Sequence, residues 1–392
     1  SNELVIAPST PALEFAKHKE DIRQTIVSDA QRSLRSTLAA NTNISRDARR
    51  RFIQKQATGT VGLSRENVAL DVGGRAQLTQ RLFSTQGVLQ NVMVYEDAYN
   101  WREVVTNFDL QNELGGAFVG QVDGIYQTQK IVSKNIYRFL MIDFNIQRDA
   151  DASVTATLNA KMAWEQMLSD QTLYGYFIGG QFAQSDLEGT LSGDNQRVGL
   201  EAGAYTVHQL GEALYFDGFA SLGFSNNTLE LADEILALDS DYLTKTFAFG
   251  AALSGVVTED AYELRPELAF NFGKAWIGDV GFTGVAYGMT DNTLSLDAGN
   301  VTVANLTFRP EVVVPLDGRN PATSNTEISF SPRFVCEQVK AITRSDYCGA
   351  GAELGFSSVS KSGLSTADIK LIMDRIDNGT RSSVQFGLEH RF

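Results

Sequence analysis

From Tyr262 to Phe272 the chain alternates without a break. Tyr262, Leu264, Pro266, Leu268, Phe270 and Phe272 fall on one side of a period-2 repeat, with Glu263, Arg265, Glu267 and Asn271 on the other. The pattern returns with Leu306, Phe308, Pro310, Val312 and Val314 against Thr307, Arg309 and Glu311. It returns again with Ile328, Phe330, Pro332 and Phe334 against Glu327, Ser329, Ser331 and Arg333. Successive side chains of a strand point to opposite faces, so each stretch reads as a strand with one apolar and one charged face. A half-buried soluble sheet and a transmembrane barrel both carry this signature.

Number and length separate the two. Twelve alternating segments can be laid out near 137–148, 153–166, 172–185, 196–208, 213–225, 244–257, 261–275, 301–315, 326–336, 349–360, 364–375 and 381–392. Most reach the nine to eleven residues or so that a tilted strand needs to cross a bilayer. The links also alternate. Leu168–Gln171, Gln209–Glu212, Thr258–Asp260 and Lys361–Gly363 are short, and only Leu316–Asn325 on that side is longer. Asn226–Leu243, Trp276–Asn300 and Glu337–Cys348 are long and polar. Short turns on one side and long loops on the other are the habit of bacterial outer-membrane barrels, and closure removes the exposed sheet edge.

No run of eighteen apolar residues occurs, so a membrane-spanning helix is not indicated. The formal charge of −14 argues against a general nucleic-acid partner. That charge is uneven. Residues 1–63 carry ten Lys+Arg against six Asp+Glu, which leaves 23 against 41 of the chain's 33 and 47 for the remainder. A basic leader beside an acidic body suggests two parts that attract.

Thr10-Pro11 is a helix start. Phe15, Ile22, Ile26, Ala30, Leu34 and Leu38 then form a narrow apolar stripe. Asn41-Thr42-Asn43 reads as a break, with Ser45 capping a second, basic helix that runs to about Ala57. Two arrangements fit: a solvated helical hairpin, or a basic helix lodged in or beside an acidic barrel. Residues 64–136 read as a small β-rich linking module or as extra strands, with strand-like stretches at 68–78, 88–95, 104–110 and 117–126.

Cys336 and Cys348 are the only cysteines and flank one polar link, which favours a disulfide and an oxidising compartment.

The runs Leu173-Tyr174-Gly175-Tyr176-Phe177-Ile178-Gly179-Gly180, Arg197 to Tyr205 and Leu214 to Phe224, together with Leu264-Arg265-Pro266-Glu267-Leu268 and the terminal Leu388-Glu389-His390-Arg391-Phe392, resemble the translocator barrel of autotransporters, the type V secretion family, over about 137–392. The resemblance implies a 12-stranded antiparallel transmembrane β-barrel in the outer membrane of a Gram-negative bacterium, in contact with lipid and lipopolysaccharide. It implies insertion by the barrel-assembly machinery through the last strand, where Phe386, Leu388 and Phe392 would form the signal. It also implies a helix through the lumen and an N-terminal passenger or surface partner.

Strand parity sends Lys161, Glu201, Asp217, Arg265, Glu267, Arg309, Glu311, Glu327, Arg333, Asp368, Lys370, Glu389 and Arg391 to the lumen. Their mixed signs suggest an ion-paired interior that grips a helix; a polar wall around water is the alternative. His18, His208 and His390 stand in no metal-type spacing, so no metal or other cofactor is indicated. Asp149, Asp151, Asp233, Glu234, Asp239 and Asp241 are acidic external positions that read as solvated loops or weak Ca²⁺ sites. There is no G-x-S-x-G elbow. The chain therefore reads as a non-enzymatic barrel that anchors or translocates an N-terminal segment or partner. A porin-like channel for small solutes is the second reading, and a rim-site hydrolase the third.

Overall fold

The computed structural model describes residues 10–58, 117–133, 136–149, 152–317, 324–360, 364–376 and 379–391. The strand-like stretches at 68–78, 88–95 and 104–110 lie outside the described residues, as does Phe392.

One helix, α1 (Pro11–Thr58), precedes sixteen strands. These are β1 (Ala117–Ser133), β2 (Ile136–Arg148), β3 (Val154–Ser169), β4 (Thr172–Leu187), β5 (Ser192–Gln209), β6 (Leu214–Ala232), β7 (Leu236–Gly255) and β8 (Val257–Thr258). There follow β9 (Glu263–Trp276), β10 (Asp279–Ala286), β11 (Met289–Asp297), β12 (Asn300–Pro315), β13 (Thr326–Lys340), β14 (Arg344–Val359), β15 (Ser365–Ile376) and β16 (Gly379–Arg391).

The sheet closes on itself. β7 pairs with β9, and β1 pairs with β16. With β8, β10 and β11 outside the ring, thirteen of the sixteen described strands form the barrel wall. All twelve segments read from the alternation are wall strands. The expected count of twelve and the all-antiparallel closure are corrected: β1 enters between β2 and β16. It pairs with β16 in parallel, with Val122 opposite Val384 and Gly124 opposite Phe386. An odd number of up-and-down strands leaves two neighbours pointing the same way, so one parallel seam is unavoidable. The last strand therefore meets β1, which separates it from β2.

The alternation sorts the side chains as a membrane barrel requires. Leu158, Ile178, Leu200, Leu222, Phe224, Phe330, Phe334, Phe386 and Leu388 are exposed on the outer surface, and their sequence neighbours are buried or half-buried. The exposed apolar positions recur around the whole ring, a surface suited to acyl chains and not to water. Trp164 stacks on Tyr176 at 5.2 Å near the end of the barrel where the chain finishes. Such rings favour the membrane–water boundary. We call that end the C-terminal rim and the opposite end the far rim.

The long polar links are mostly not loops. β6 and β7 continue past the far rim and meet at a turn between Ala232 and Leu236, so the link expected at Asn226–Leu243 is a two-stranded extension. The link at Trp276–Asn300 contains the β10–β11 hairpin, whose β10 pairs with the outer part of β7. β13 and β14 likewise run on to Lys340 and Arg344. These extensions carry alternating apolar residues of their own, and Leu229, Leu231, Leu236, Leu238, Val280 and Phe282 form a buried cluster with the start of α1.

Candidate functional site: the helix-filled lumen

α1 is a single helix of 48 residues, about 72 Å long at the usual rise. The expected break at Asn41-Thr42-Asn43 and the second helix from Ser45 do not occur. Asn, Thr and Ser interrupt exposed helices because their side chains compete for nearby backbone groups. Here the wall supplies partners instead. Asn41 donates to Glu201 at 2.5 Å and to Ser221 at 2.9 Å, and accepts from Lys161 at 2.6 Å. Thr42 reaches Asn271 at 3.0 Å, and the Ser45 hydroxyl donates to Asp217 at 2.9 Å.

α1 runs from the far rim to the C-terminal rim. At its start Phe15 meets Phe282 at 5.4 Å between ring centroids, and Arg23 donates to the Asp297 carbonyl at 3.0 Å. His18 stands 3.5 Å from Asp233 in the β6–β7 turn. Asp233 also accepts the backbone N–H groups of Ile235 and Leu236, both at 2.7 Å. Burial works to raise its carboxyl, but these N–H groups and nearby His18 outweigh it and hold the group below the usual carboxylate range.

Below this apolar collar the grip becomes ionic. Asp29 pairs with Arg197 and accepts from Ser185 and Asn195, both at 2.6 Å. Arg32 pairs with Asp149 at 3.0 Å. Arg35 and Arg381 share Glu337, at 2.5 and 3.0 Å. Lys161 pairs with Glu201 at 2.8 Å. Arg46 reaches Glu267 at 2.5 Å, and Arg49 donates to both Asp217 and Glu267. Arg50 meets Glu389 at 3.3 Å. Arg51 pairs with Glu165 and lies 4.1 Å over the Phe139 ring, while the Tyr205 hydroxyl donates to Glu165 at 2.9 Å. Charges this deep are tolerable only when paired and hydrogen-bonded.

Of the thirteen lumen charges assigned by parity, Lys161, Glu201, Asp217, Glu267 and Glu389 thus engage α1 or its immediate partners. A second group forms a wall network of its own. Arg265 meets Glu263 and, at 3.5 Å, Glu327. Arg309 donates to Glu353 at 2.8 Å, Arg333 joins Glu353 to Asp374 at 3.0 Å each, and Lys370 lies 3.4 Å from Glu353. Glu311 is buried opposite Arg265 in the strand register. Asp368 sits opposite Gly387, where an added Cβ would fall 2.4 Å from its oxygens. The side chain of Arg391 lies outside the described residues. Phe386 and Leu388 face outward, whereas His390 is buried beside Ser365 at 2.8 Å.

Arg197, Glu337, Glu165, Glu353 and Asp374 are missing from the parity assignment. Glu337 fell in a stretch read as loop, and Arg197 near a strand start. Extending the 326–336 segment by one residue brings in Glu337 with the inward parity of Glu327, whereas Arg197 already lay within 196–208 with the inward parity of Glu201.

Cys336 and Cys348 form a disulfide. They are directly opposed residues of β13 and β14, so the bridge is a rung of the wall and not the clasp of a loop. Among the described residues no group of three or more His, Cys, Asp or Glu is placed to hold a metal ion, and no helix is long and apolar enough to cross a membrane.

The chain is a closed β-barrel whose lumen holds its own N-terminal helix. No protein-family model matches it, and no curated protein matches it. Among solved structures it is similar to the beta domain of the Bordetella autotransporter BrkA, at 14% identity over 60% of this chain and 88% of that chain, with a TM-score of 0.43. It is also similar to the translocator domain of autotransporter NalP from Neisseria meningitidis, at 12% identity over 75% and 92%, TM-score 0.41. A third similar structure is the TodX deltaS2S3 mutant monoaromatic hydrocarbon channel, at 12% identity over 66% and 73%, TM-score 0.38.

Proposed function

We propose that this chain is a non-enzymatic outer-membrane β-barrel of a Gram-negative bacterium that anchors its own N-terminal segment at the cell surface, with α1 as a resident plug. The observation that carries this reading is the ladder of mostly buried ion pairs from Asp29 to Arg51, which ties α1 to β3, β5, β6, β9, β13 and β16. A transient occupant of the lumen has no need of so many matched charges. The exposed apolar ring supports contact with lipid and lipopolysaccharide. The outward Phe386 and Leu388 on the last strand suit a signal read by the barrel-assembly machinery. A passenger or surface partner would attach ahead of Thr10, beyond the far rim, which on this reading faces the outside. A wide porin-like channel is at odds with a lumen filled along the length of α1.

The test is an epitope fused ahead of Thr10 and probed with antibody on intact cells. Labelling without permeabilisation is the expected result. Labelling only after the outer membrane is opened would overturn the surface-anchor reading.

A further inference from the structure

Strand pairing sets the outward side chains of the wall in rows. Within the belt the rows are apolar: Leu253, Leu268, Phe308 and Phe334 form one, and Phe249 and Phe272 lie two rows nearer the far rim. One row farther, the surface changes. Phe247, Lys274, Thr302, Lys340 and Arg344 follow one another across β7, β9, β12, β13 and β14. Thr302 alone separates Lys274 from Lys340, about 10 Å at the usual strand spacing. Lys245 stands in the next row, opposite Trp276. The Lys274 ammonium lies 5.0 Å from the Trp276 ring, and Trp276 is 42% exposed. An indole at the end of an apolar belt marks the membrane–water boundary, so these cations stand at that boundary on the far-rim side.

Their charge is not spent within the chain. Arg344 meets Asp346 at 3.1 Å, and Asp346 also accepts from Gln338 at 2.7 Å. Among the described residues Lys245, Lys274 and Lys340 enter no ion pair. Wetting the surface would be served as well by the carboxylates that this chain carries in excess, with a net charge of −14. Those on the same face of β7, Asp239 and Asp241, come only farther out. The lysines are set apart at the edge of the belt, where a long apolar stem can lie on the rings below while the ammonium reaches the headgroup level.

We infer that Lys245, Lys274, Lys340 and Arg344 form a binding site for the phosphorylated headgroup of lipopolysaccharide, whose acyl chains lie on the apolar rows beneath. Cations on neighbouring strands of a rigid wall suit an amphiphile that carries more than one phosphate on one headgroup; a phospholipid with a single phosphate engages them one at a time. The inference deepens the contact with lipopolysaccharide proposed above and rests on the far rim facing outside, where that lipid resides. The epitope experiment reports which way the barrel faces. The experiment below needs no membrane and reports on the row itself.

The full chain, folded in neutral detergent, is titrated with purified lipopolysaccharide, and the midpoint of heat-modifiable migration is read, since a ligand of the folded barrel raises it. A rise is expected, much smaller with lipopolysaccharide stripped of its phosphates and weakened by salt. Lys245→Gln, Lys274→Gln and Lys340→Gln together should need several-fold more lipopolysaccharide for the same rise, and the matching triple replacement by Arg should respond as the parent chain does. Migration without lipopolysaccharide shows that each variant is folded. No rise in the parent chain would overturn the proposal, as would an undiminished rise in the Gln variant or loss of the response in the Arg variant. Phosphatidylglycerol acting as strongly, mole for mole, would overturn lipopolysaccharide as the occupant.

Discussion

Asp29 on α1 and Arg197 on β5 form an ion pair in which the two side chains are 1% and 4% exposed. Asp29 also takes hydrogen bonds from Ser185 of β4 and Asn195 of β5, so three elements converge on one carboxylate only because α1 carries it there. Removing one member of such a pair strands the other. Asp29→Asn should destabilise the seated helix by about 3–5 kcal/mol. Asp29→Asn with Arg197→Gln should recover part of that loss. Midpoints of heat-modifiable migration for both single variants and the double check this; a double variant whose loss equals the sum of the two single losses would show that the pair is not coupled.

Gly273 of β9 lets α1 approach the wall. A Cβ there would lie 2.8 Å from Leu34 Cδ1 and 3.2 Å from Leu38 Cδ1. Gly273→Val should push the middle of α1 off β9. The expected outcome is a larger single-channel conductance and faster proteolysis within α1, with the barrel itself still folded.

The outer surface should reject charge, while the inner one tolerates the loss of a single hydroxyl. Leu222 is 66% exposed midway along β6. Leu222→Arg should cost about 2–4 kcal/mol, the range for a lipid-facing charge near the bilayer centre. Serine at the buried, inward position 221 makes the control: Ser221→Ala should leave membrane yield unchanged. Equal yields for Leu222→Arg and Ser221→Ala would place Leu222 away from lipid.

Cys336 and Cys348 tie β13 to β14 beside Glu337, which holds Arg35 and Arg381. Replacing both cysteines by Ser should remove up to about 3 kcal/mol from this part of the wall. Hydrogen exchange should quicken at Val335–Lys340 and Arg344–Gly349 and stay unchanged in β3–β5.

The turn that covers the start of α1 depends on pH with a defined sign. Asp233 is held below the usual range in the folded chain. The unfolded chain therefore takes up the proton first as the pH falls. The contribution of this turn is complete at neutral pH and is lost as the pH drops below about 3.9, the ordinary Asp value, and through the folded one. Protection of the Ile235 and Leu236 amides, corrected for intrinsic exchange, should decline over that interval, and Asp233→Ala should abolish the dependence.

Much of the wall was legible because lipid outside and charge inside enforce a strict period of two, as at Tyr262 to Phe272. β1 was only partly legible. The strand-like stretch 117–126 falls within it, with Val122 and Tyr126 alternating against Gln121, Asp123 and Gln127, but it stood apart from the regular series that begins at Tyr137 and read equally well as part of a linking module. Parallel pairing with β16 leaves no local mark in either strand. The continuity of α1 was hidden because Asn41, Thr42 and Ser45 owe their helical setting to Glu201, Asn271 and Asp217, partners more than 150 residues away in the chain. The ion pairs were legible only as inward charges; which arginine meets which carboxylate depends on register and on the depth of the helix.

The seam between β1 and β16 sets an order of events in assembly. Every other junction of the ring joins strands that follow one another in sequence, apart from the small β8 and the β10–β11 hairpin. The seam brings Val122 to Val384, across 262 residues, and must wait for the last strand. Until then the sheet is an open trough, and α1 with its Arg49 and Arg51 can be laid in from the side. Once the seam has formed, the same helix would have to be drawn lengthwise past Glu267, Phe139 and the other side chains it now touches. Wrapping around the helix is the shorter route, which makes the plug a template for its own enclosure.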